Sequence, residues 1–186
     1  MENDKKCVSV LVVEDEEGLR DSIKRDLSEM ANVRVARDGR EALLMMEEEL
    51  PTVLVTDIVM PGLDGAQLLR EIRSRRWWLP VLMITGYDSD DNRAIARSFL
   101  VFEFLPKPFF LKEVRRAVEK GIVIASRIQD IDTEVAKYFS DTQTPADMEE
   151  GLRESVRQMI LEKLLKGEME NVEKEDAAVI EIEENS

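Results

Sequence analysis

The chain has 186 residues, 44% of them hydrophobic and 35% charged, enough for one good core plus an appendage and short of any apolar stretch that reaches the ~18 residues a membrane span needs. Its net charge of −14 divides into −4 over residues 1–130 and −10 over residues 131–186, which argues against non-specific nucleic-acid binding, because phosphate contacts need clustered Lys and Arg. It contains no histidine, which excludes His-based metal sites, Ser-His-Asp triads and any phosphohistidine made within the chain.

The N-terminus runs Met1-Glu2-Asn3-Asp4-Lys5-Lys6 without a signal-peptide pattern. The lone Cys7 excludes an internal disulfide framework and fits a reducing cytoplasm; as a residue it reads as a small side chain at a strand start. Val8–Val13 reads as the first strand, and Leu19, Ile23, Leu27 and Met30 then recur at helical spacing. Val33–Ala36 is a short second strand. Asp38 is placed as the N-cap of a helix running through Glu49, with Ala42, Leu43 and Met46 inward. Val53–Thr56 is the third strand, followed by a helix over Asp64–Arg76 with Leu68, Leu69 and Ile72 inward. Leu79–Thr85 is the fourth strand, Asp88–Phe99 a weaker helix, and Val101–Leu105 a fifth strand. From Phe109 a strong helix carries Leu111, Val114, Val118, Ile122 and Ala125 on one stripe. Five β-α units in about 120 residues predict a doubly wound α/β fold, a five-stranded parallel sheet with helices on both faces.

Beyond Arg127 the pattern changes. Val114, Gly121, Ile128 and Val135 are seven apart, as are Val118, Ala125, Asp132 and Phe139. The last helix is therefore expected to run on as an imperfect coiled-coil seam, weakened by Gly121 and Asp132. Ser140 to Pro145 form a break, and Pro145 is suited to starting a new helix. Met148, Leu152, Val156, Met159, Ile160 and Leu164 form a second apolar stripe, which Gly167 ends or loosens. The last twenty residues hold eight acids and one Lys; they read as a mobile acidic tail in which Val179, Ile180 and Ile182 suit a short strand. The expected organisation is 1–127 as the α/β domain, 128–166 as a helical extension and 167–186 as the tail.

The chemistry gathers at strand ends. The third strand ends on Asp57 and runs at once into Met60-Pro61-Gly62-Leu63-Asp64-Gly65, which puts a carboxylate where open α/β sheets keep their sites. The first strand ends in Glu14 and Asp15, so three carboxylates crowd one edge; such a group is stable only with a cation, and all-oxygen ligands favour a hard ion such as Mg²⁺. An acidic first helical turn explains Glu14 and Asp15 about equally well. Thr85-Gly86 at the end of strand four offers a hydroxyl and an approachable backbone N–H, although a strand-end Thr needs no such role. Lys107 sits between Pro106 and Pro108, on a rigid segment at the same edge, where a cation bridges a carboxylate and a phosphoryl group. Lys107–Pro108 is a candidate cis bond.

Taken together, Val-Val-Glu-Asp-Glu, Asp-Ile-Val-Met-Pro-Gly-Leu-Asp-Gly, Ile-Thr-Gly and Leu-Pro-Lys-Pro-Phe resemble the receiver domain of two-component response regulators, CheY-like, from Val8 to Arg127. The resemblance implies a flavodoxin-like sheet of order 2-1-3-4-5. It also implies Asp57 as the phosphoacceptor, supplied by a sensor histidine kinase or a histidine phosphotransfer protein. Glu14, Asp15, Asp57 and the Val59 carbonyl would hold Mg²⁺. Lys107 and Thr85 would contact the phosphoryl group, and Phe104 would be the switch aromatic, turning inward as Thr85 moves. Phosphoryl transfer of this kind is mainly charge neutralisation and positioning.

Several positions depart from the family pattern. Glu14 stands where Asp is commoner, and its longer arm should still reach through water. Phe99-Leu100-Val101-Phe102 replaces the usual Gly-Ala, which means deeper packing or a partner surface. Phe104 in place of Tyr leaves switching to packing alone. Val59 and Tyr87 flank the site and are non-acidic, which implies a long-lived acyl phosphate. Trp77 and Trp78 precede strand four and are expected to pack at the far edge, one of them partly exposed.

The sequence thus reads as a phosphoacceptor switch rather than an enzyme acting on a separate substrate. Residues 131–186 are too short and acidic for a winged-helix or helix-turn-helix output, so a downstream protein target, with neither nucleic acid nor membrane, is expected. A homodimer through the helix of residues 109–140 and a cytoplasmic location complete the reading. An Asp-nucleophile phosphatase is a weak rival, because Val59 follows where such enzymes carry Asp. A scaffold that keeps the fold without phosphorylation is the other.

Overall fold

A computed structural model describes residues 8–86, 90–141 and 151–167. Five strands, β1 (Ser9–Val13), β2 (Asn32–Ala36), β3 (Val53–Asp57), β4 (Val81–Thr85) and β5 (Glu103–Pro106), form one parallel sheet of order β2-β1-β3-β4-β5. Helices α1 (Glu17–Leu27), α2 (Gly39–Glu48), α3 (Gly65–Ser74), α4 (Asp90–Ser98) and α5 (Leu111–Asp141) alternate with them. This is the flavodoxin-like order that the family resemblance implied.

The burial of each strand explains its composition. Every residue of β1, β3 and β4 is buried, so these central strands read as continuous Val, Leu and Ile runs covered on both faces. The edge strands β2 and β5 are covered less completely and are accordingly less regular. Asp38 caps α2 as expected, accepting from the backbone N–H of Arg40 and Glu41. Asp64 and Gln67 form a reciprocal capping box at the start of α3. Leu68, Leu69 and Ile72 of α3 and Ala42, Leu43 and Met46 of α2 are buried in the core, as the periodicity predicts.

Three local expectations are corrected. The strand expected at Leu79 begins at Val81, because Pro80 has no N–H for the ladder and contributes only its carbonyl, to Leu54. The fifth strand begins at Glu103 rather than Val101. Val101 and Phe102 are core residues of the preceding turn, and Leu100 adopts φ +54° there while buried. The apolar run 99–102 is therefore mostly packing rather than open surface. The inward stripe of α5 is Val114, Ala117, Val118 and Ile124, with Leu111, Ile122 and Ala125 only half-buried. Gly121 sets that face: a Cβ there would lie 3.1 Å from both Phe102 and Val53, so the missing side chain permits close approach to the sheet. Arg73 locks the far edge, donating to the carbonyls of Phe99, Trp77, Leu79 and Leu100. Trp77 and Trp78 are both half-buried, under the guanidiniums of Arg75 and Arg73.

The chain divides into two compact units, Met1–Ala125 and Ser126–Ser186. In the second, α5 continues to Asp141 and a further helix covers 151–167. Ile128, Val135, Leu161 and Leu165 are buried, and Arg157 makes a two-point ion pair with Asp132. On the later helix the stripe residues Leu152, Met159 and Ile160 are exposed and Val156 and Leu164 half-buried, while Leu161 and Leu165 are buried. Of the seam residues, Val114, Val118, Gly121, Ile128 and Val135 are buried and Ala125 and Asp132 half-buried. Met148, Phe139's side chain, Pro145 and the tail beyond 167 lie outside the described residues.

Candidate functional site

The sheet register assembles the site. Val13 pairs with Thr56, so Glu14, the next residue, stands beside Asp57 at the switch point between β1 and β3. Asp57 pairs with Ile84, and Thr85 with Pro106, which brings Thr85 and Lys107 to the same edge. The Lys107 backbone N–H donates to the Thr85 carbonyl at 2.6 Å, tying the ends of β4 and β5 together. The Lys107–Pro108 bond is cis.

Lys107 is the centre of the electrostatics. Its Nζ lies 2.6 Å from Asp57 Oδ2 and 2.9 Å from Glu14 Oε2. The other Asp57 oxygen, Oδ1, accepts the Val59 amide at 3.1 Å, so the loop wraps the carboxylate from the opposite side. Asp57 and Glu14 are buried, whereas Asp15 is exposed. Burial and the neighbouring Asp57 raise the Glu14 carboxyl above its usual value, and the Lys107 hydrogen bond opposes them only in part. Burial pulls the Lys107 ammonium down, but its bonds to Asp57 and Glu14 outweigh this, and it is held above its usual value. The ammonium therefore stays charged where it is needed.

Glu14, Asp15 and Asp57 each bring a carboxylate oxygen to within 4.8 Å of the others. Such hard oxygens, two of them desolvated, fit a hard divalent cation. Thr85 is fully buried at the strand end, and Gly86 after it is exposed. Phe104 is half-buried, with the Arg93 guanidinium 5.5 Å from its ring centroid. Val59 is 54% exposed beside the carboxylates; Tyr87 lies outside the described residues. Glu14, Asp15, Asp57, Val59 and Lys107 thus converge directly, Thr85 borders them, and Phe104 lies further along β5.

Two contributors escaped the sequence reading. Arg20 donates to the carbonyls of Glu14 and Asp15 and fixes the loop after β1. Gly65 begins α3 so close behind β3 that a Cβ would sit 2.1 Å from the Asp57 carbonyl oxygen. The signal for Gly65 was its place in the Leu63-Asp64-Gly65 turn; Arg20 left none, since its acceptors are backbone.

The family described as the response regulator receiver domain matches residues 10–119. Response regulator MprA of Mycobacterium bovis is 36% identical over 135 residues, covering 72% of this chain and 58% of that protein. Its counterpart from Mycobacterium avium is 37% identical over 133 residues, 71% and 58% respectively. The chain therefore spans less than two thirds of the curated relatives it matches. Among solved structures, the Clostridium thermocellum receiver domain protein aligns with TM-score 0.57 and 30% identity, over 62% of this chain and 94% of that one. Vibrio cholerae chemotaxis protein CheY4 aligns with TM-score 0.58 and 25% identity, over 61% and 98%. The parallel sheet, the acidic cluster at its switch point and these matches agree: the chain belongs to the response regulator receiver domain family of two-component signalling.

Proposed function

We propose that Asp57 accepts a phosphoryl group from the phosphohistidine of a sensor histidine kinase or phosphotransfer protein. The observation that carries this reading is the placement of Asp57: buried, gripped through Oδ2 by Lys107 and through Oδ1 by the Val59 amide, and beside Glu14 and Asp15. In the transfer a P–O bond forms to a carboxylate oxygen of Asp57 as the P–N bond of the donor breaks. Its electron pair returns to the imidazole, which solvent protonates. Lys107 offsets the charge on the incoming phosphoryl oxygens, and the Thr85 hydroxyl donates to one of them. Glu14, Asp15, Asp57 and the Val59 carbonyl would hold Mg²⁺, which when bound neutralises the carboxylates and phosphoryl oxygens. The chain does chemistry only on itself, so we class it as a switch rather than an enzyme.

Phe104 is the switch aromatic in this reading. In the structure described it is half-buried under Arg93, and inward rotation would release that guanidinium. Output passes to a downstream protein rather than to nucleic acid or a membrane, in keeping with the acidic charge of residues 131–186. A cytoplasmic location goes with the kinase partnership. Val59, largely exposed and non-acidic beside the site, orients no attacking water, and supports a long-lived acyl phosphate.

Incubation with acetyl phosphate and Mg²⁺, followed by intact mass, tests the proposal. A gain of one phosphoryl group that is absent in Asp57→Asn is expected; no gain in the natural chain would favour the scaffold reading. A dephosphorylation half-life of seconds with Mg²⁺ present would refute the long-lived phosphate.

A further inference from the structure

Arg20 follows the acidic run Glu14-Asp15-Glu16-Glu17, yet among the described residues it forms an ion pair with none of them. A guanidinium near carboxylates ordinarily takes them as acceptors, since charge-assisted bonds are roughly twice as strong as neutral ones. Here Arg20, half-buried in the first turn of α1, donates from Nη1 to two backbone oxygens instead. They are the Glu14 carbonyl at 2.9 Å and the Asp15 carbonyl at 3.3 Å. These oxygens belong to the peptide units on either side of the Asp15 Cα. Each unit is planar, so holding both planes fixes the two soft dihedrals of Asp15 and the direction in which its side chain leaves.

The three carboxylates of the cluster are not held alike. Glu14 is fixed at both oxygens, Oε2 by Lys107 at 2.9 Å and Oε1 by the Glu16 amide at 3.3 Å. Asp57 is fixed at both by Lys107 and the Val59 amide. Asp15 is exposed, and its carboxylate accepts no hydrogen bond among the described residues, yet it offers an oxygen within 4.8 Å of the other two. The backbone of its bend is what keeps it there.

We infer that Arg20 is a positioning residue for the divalent cation: by holding both peptide planes around Asp15, it aims that carboxylate at Asp57. The inference rests on the reading of Glu14, Asp15 and Asp57 as Mg²⁺ ligands. Its sign is opposite to that of charge alone. A guanidinium near the site repels a dication, so through charge its removal tightens binding. Through position its removal weakens binding, because the ion must then order the bend itself. Groups that orient metal ligands from behind typically contribute about 10–100-fold in affinity.

Isothermal titration of the full-length chain with Mg²⁺ tests this. Arg20→Met should raise the Kd about tenfold. Arg20→Lys, one bond shorter and still charged, should raise it by a smaller factor, and it reads geometry with the charge kept. In an Asp15→Asn background Arg20→Met should change the Kd by less than about twofold, since the carboxylate to be aimed is gone. A general loss of structure would carry through to that background undiminished. An unchanged or lower Kd in either single variant, or an undiminished loss in the Asp15→Asn background, would overturn the inference. The phosphoacceptor reading would stand in that event, since the Asp57→Asn mass comparison tests it separately. A natural chain that binds no Mg²⁺ would overturn the metal-site reading and this inference together.

Discussion

Glu14 sits in surroundings that disfavour its charged form. Burial first, and Asp57 second, raise its carboxyl above the ordinary value of 4.5. The folded chain therefore holds that proton more tightly than the unfolded chain. As pH rises from 4.5 through the raised folded value, the unfolded state loses the proton first, and folding stability falls by this contribution. Glu14→Gln should remove the effect: at pH 7, without divalent cations, thermal unfolding should shift upward by about 2–4 °C for each kcal/mol recovered. The gain over the natural protein should vanish towards pH 4.5. Mg²⁺ should raise the melting temperature of the natural chain and do so less for Glu14→Gln, because an ion that binds only the folded state stabilises it. At this scale the sequence was largely legible, since a parallel sheet puts one residue from each strand end on a common edge. It was silent on Lys107 bridging both carboxylates, and on Arg20, whose acceptors are carbonyls that every residue possesses.

Elements are positioned by two devices that composition does not advertise. Gly65 lets the first turn of α3 press against the end of β3, its N–H donating to the Ile58 carbonyl at 2.9 Å. Gly65→Ala puts a methyl into the Asp57 backbone, so it should cost about 3 kcal/mol or more in urea unfolding and lower phosphoryl uptake by displacing Asp57. Arg73 is a half-buried cation bonded to carbonyls, and desolvation of its guanidinium lowers it to about 10. It ties α3 to the turn before β5, where Leu100 holds a left-handed backbone. Arg73→Met should cost about 2–3 kcal/mol, since several buried carbonyls lose their donor together. The strands and helices themselves were legible from apolar runs and helical periodicity. The start of β5 was not, because Val101 and Phe102 are as apolar as a strand while packing as a turn. Gly121 misled in the same way: it reads as a helix weakness and serves as a close contact with Phe102 and Val53.

Over the whole chain, the first unit carries the acidic cluster that we propose as the phosphoacceptor site, and the second holds the end of α5 and the helix over 151–167. The sequence indicated helix past Arg127 and an apolar stripe on the later helix; of that stripe Leu152, Met159 and Ile160 are exposed, whereas Leu161 and Leu165 beside it are buried. Apolar residues fall on more than one side of that helix, and periodicity alone does not choose among them. The central claim is that Asp57 takes the phosphoryl group. Acetyl phosphate and Mg²⁺ followed by borohydride reduction, which converts an aspartyl phosphate to homoserine, and then peptide mass mapping would read the modified position directly. The account predicts homoserine at position 57 and nowhere else; homoserine at another acidic position, or none in a chain that has gained a phosphoryl group, would contradict it.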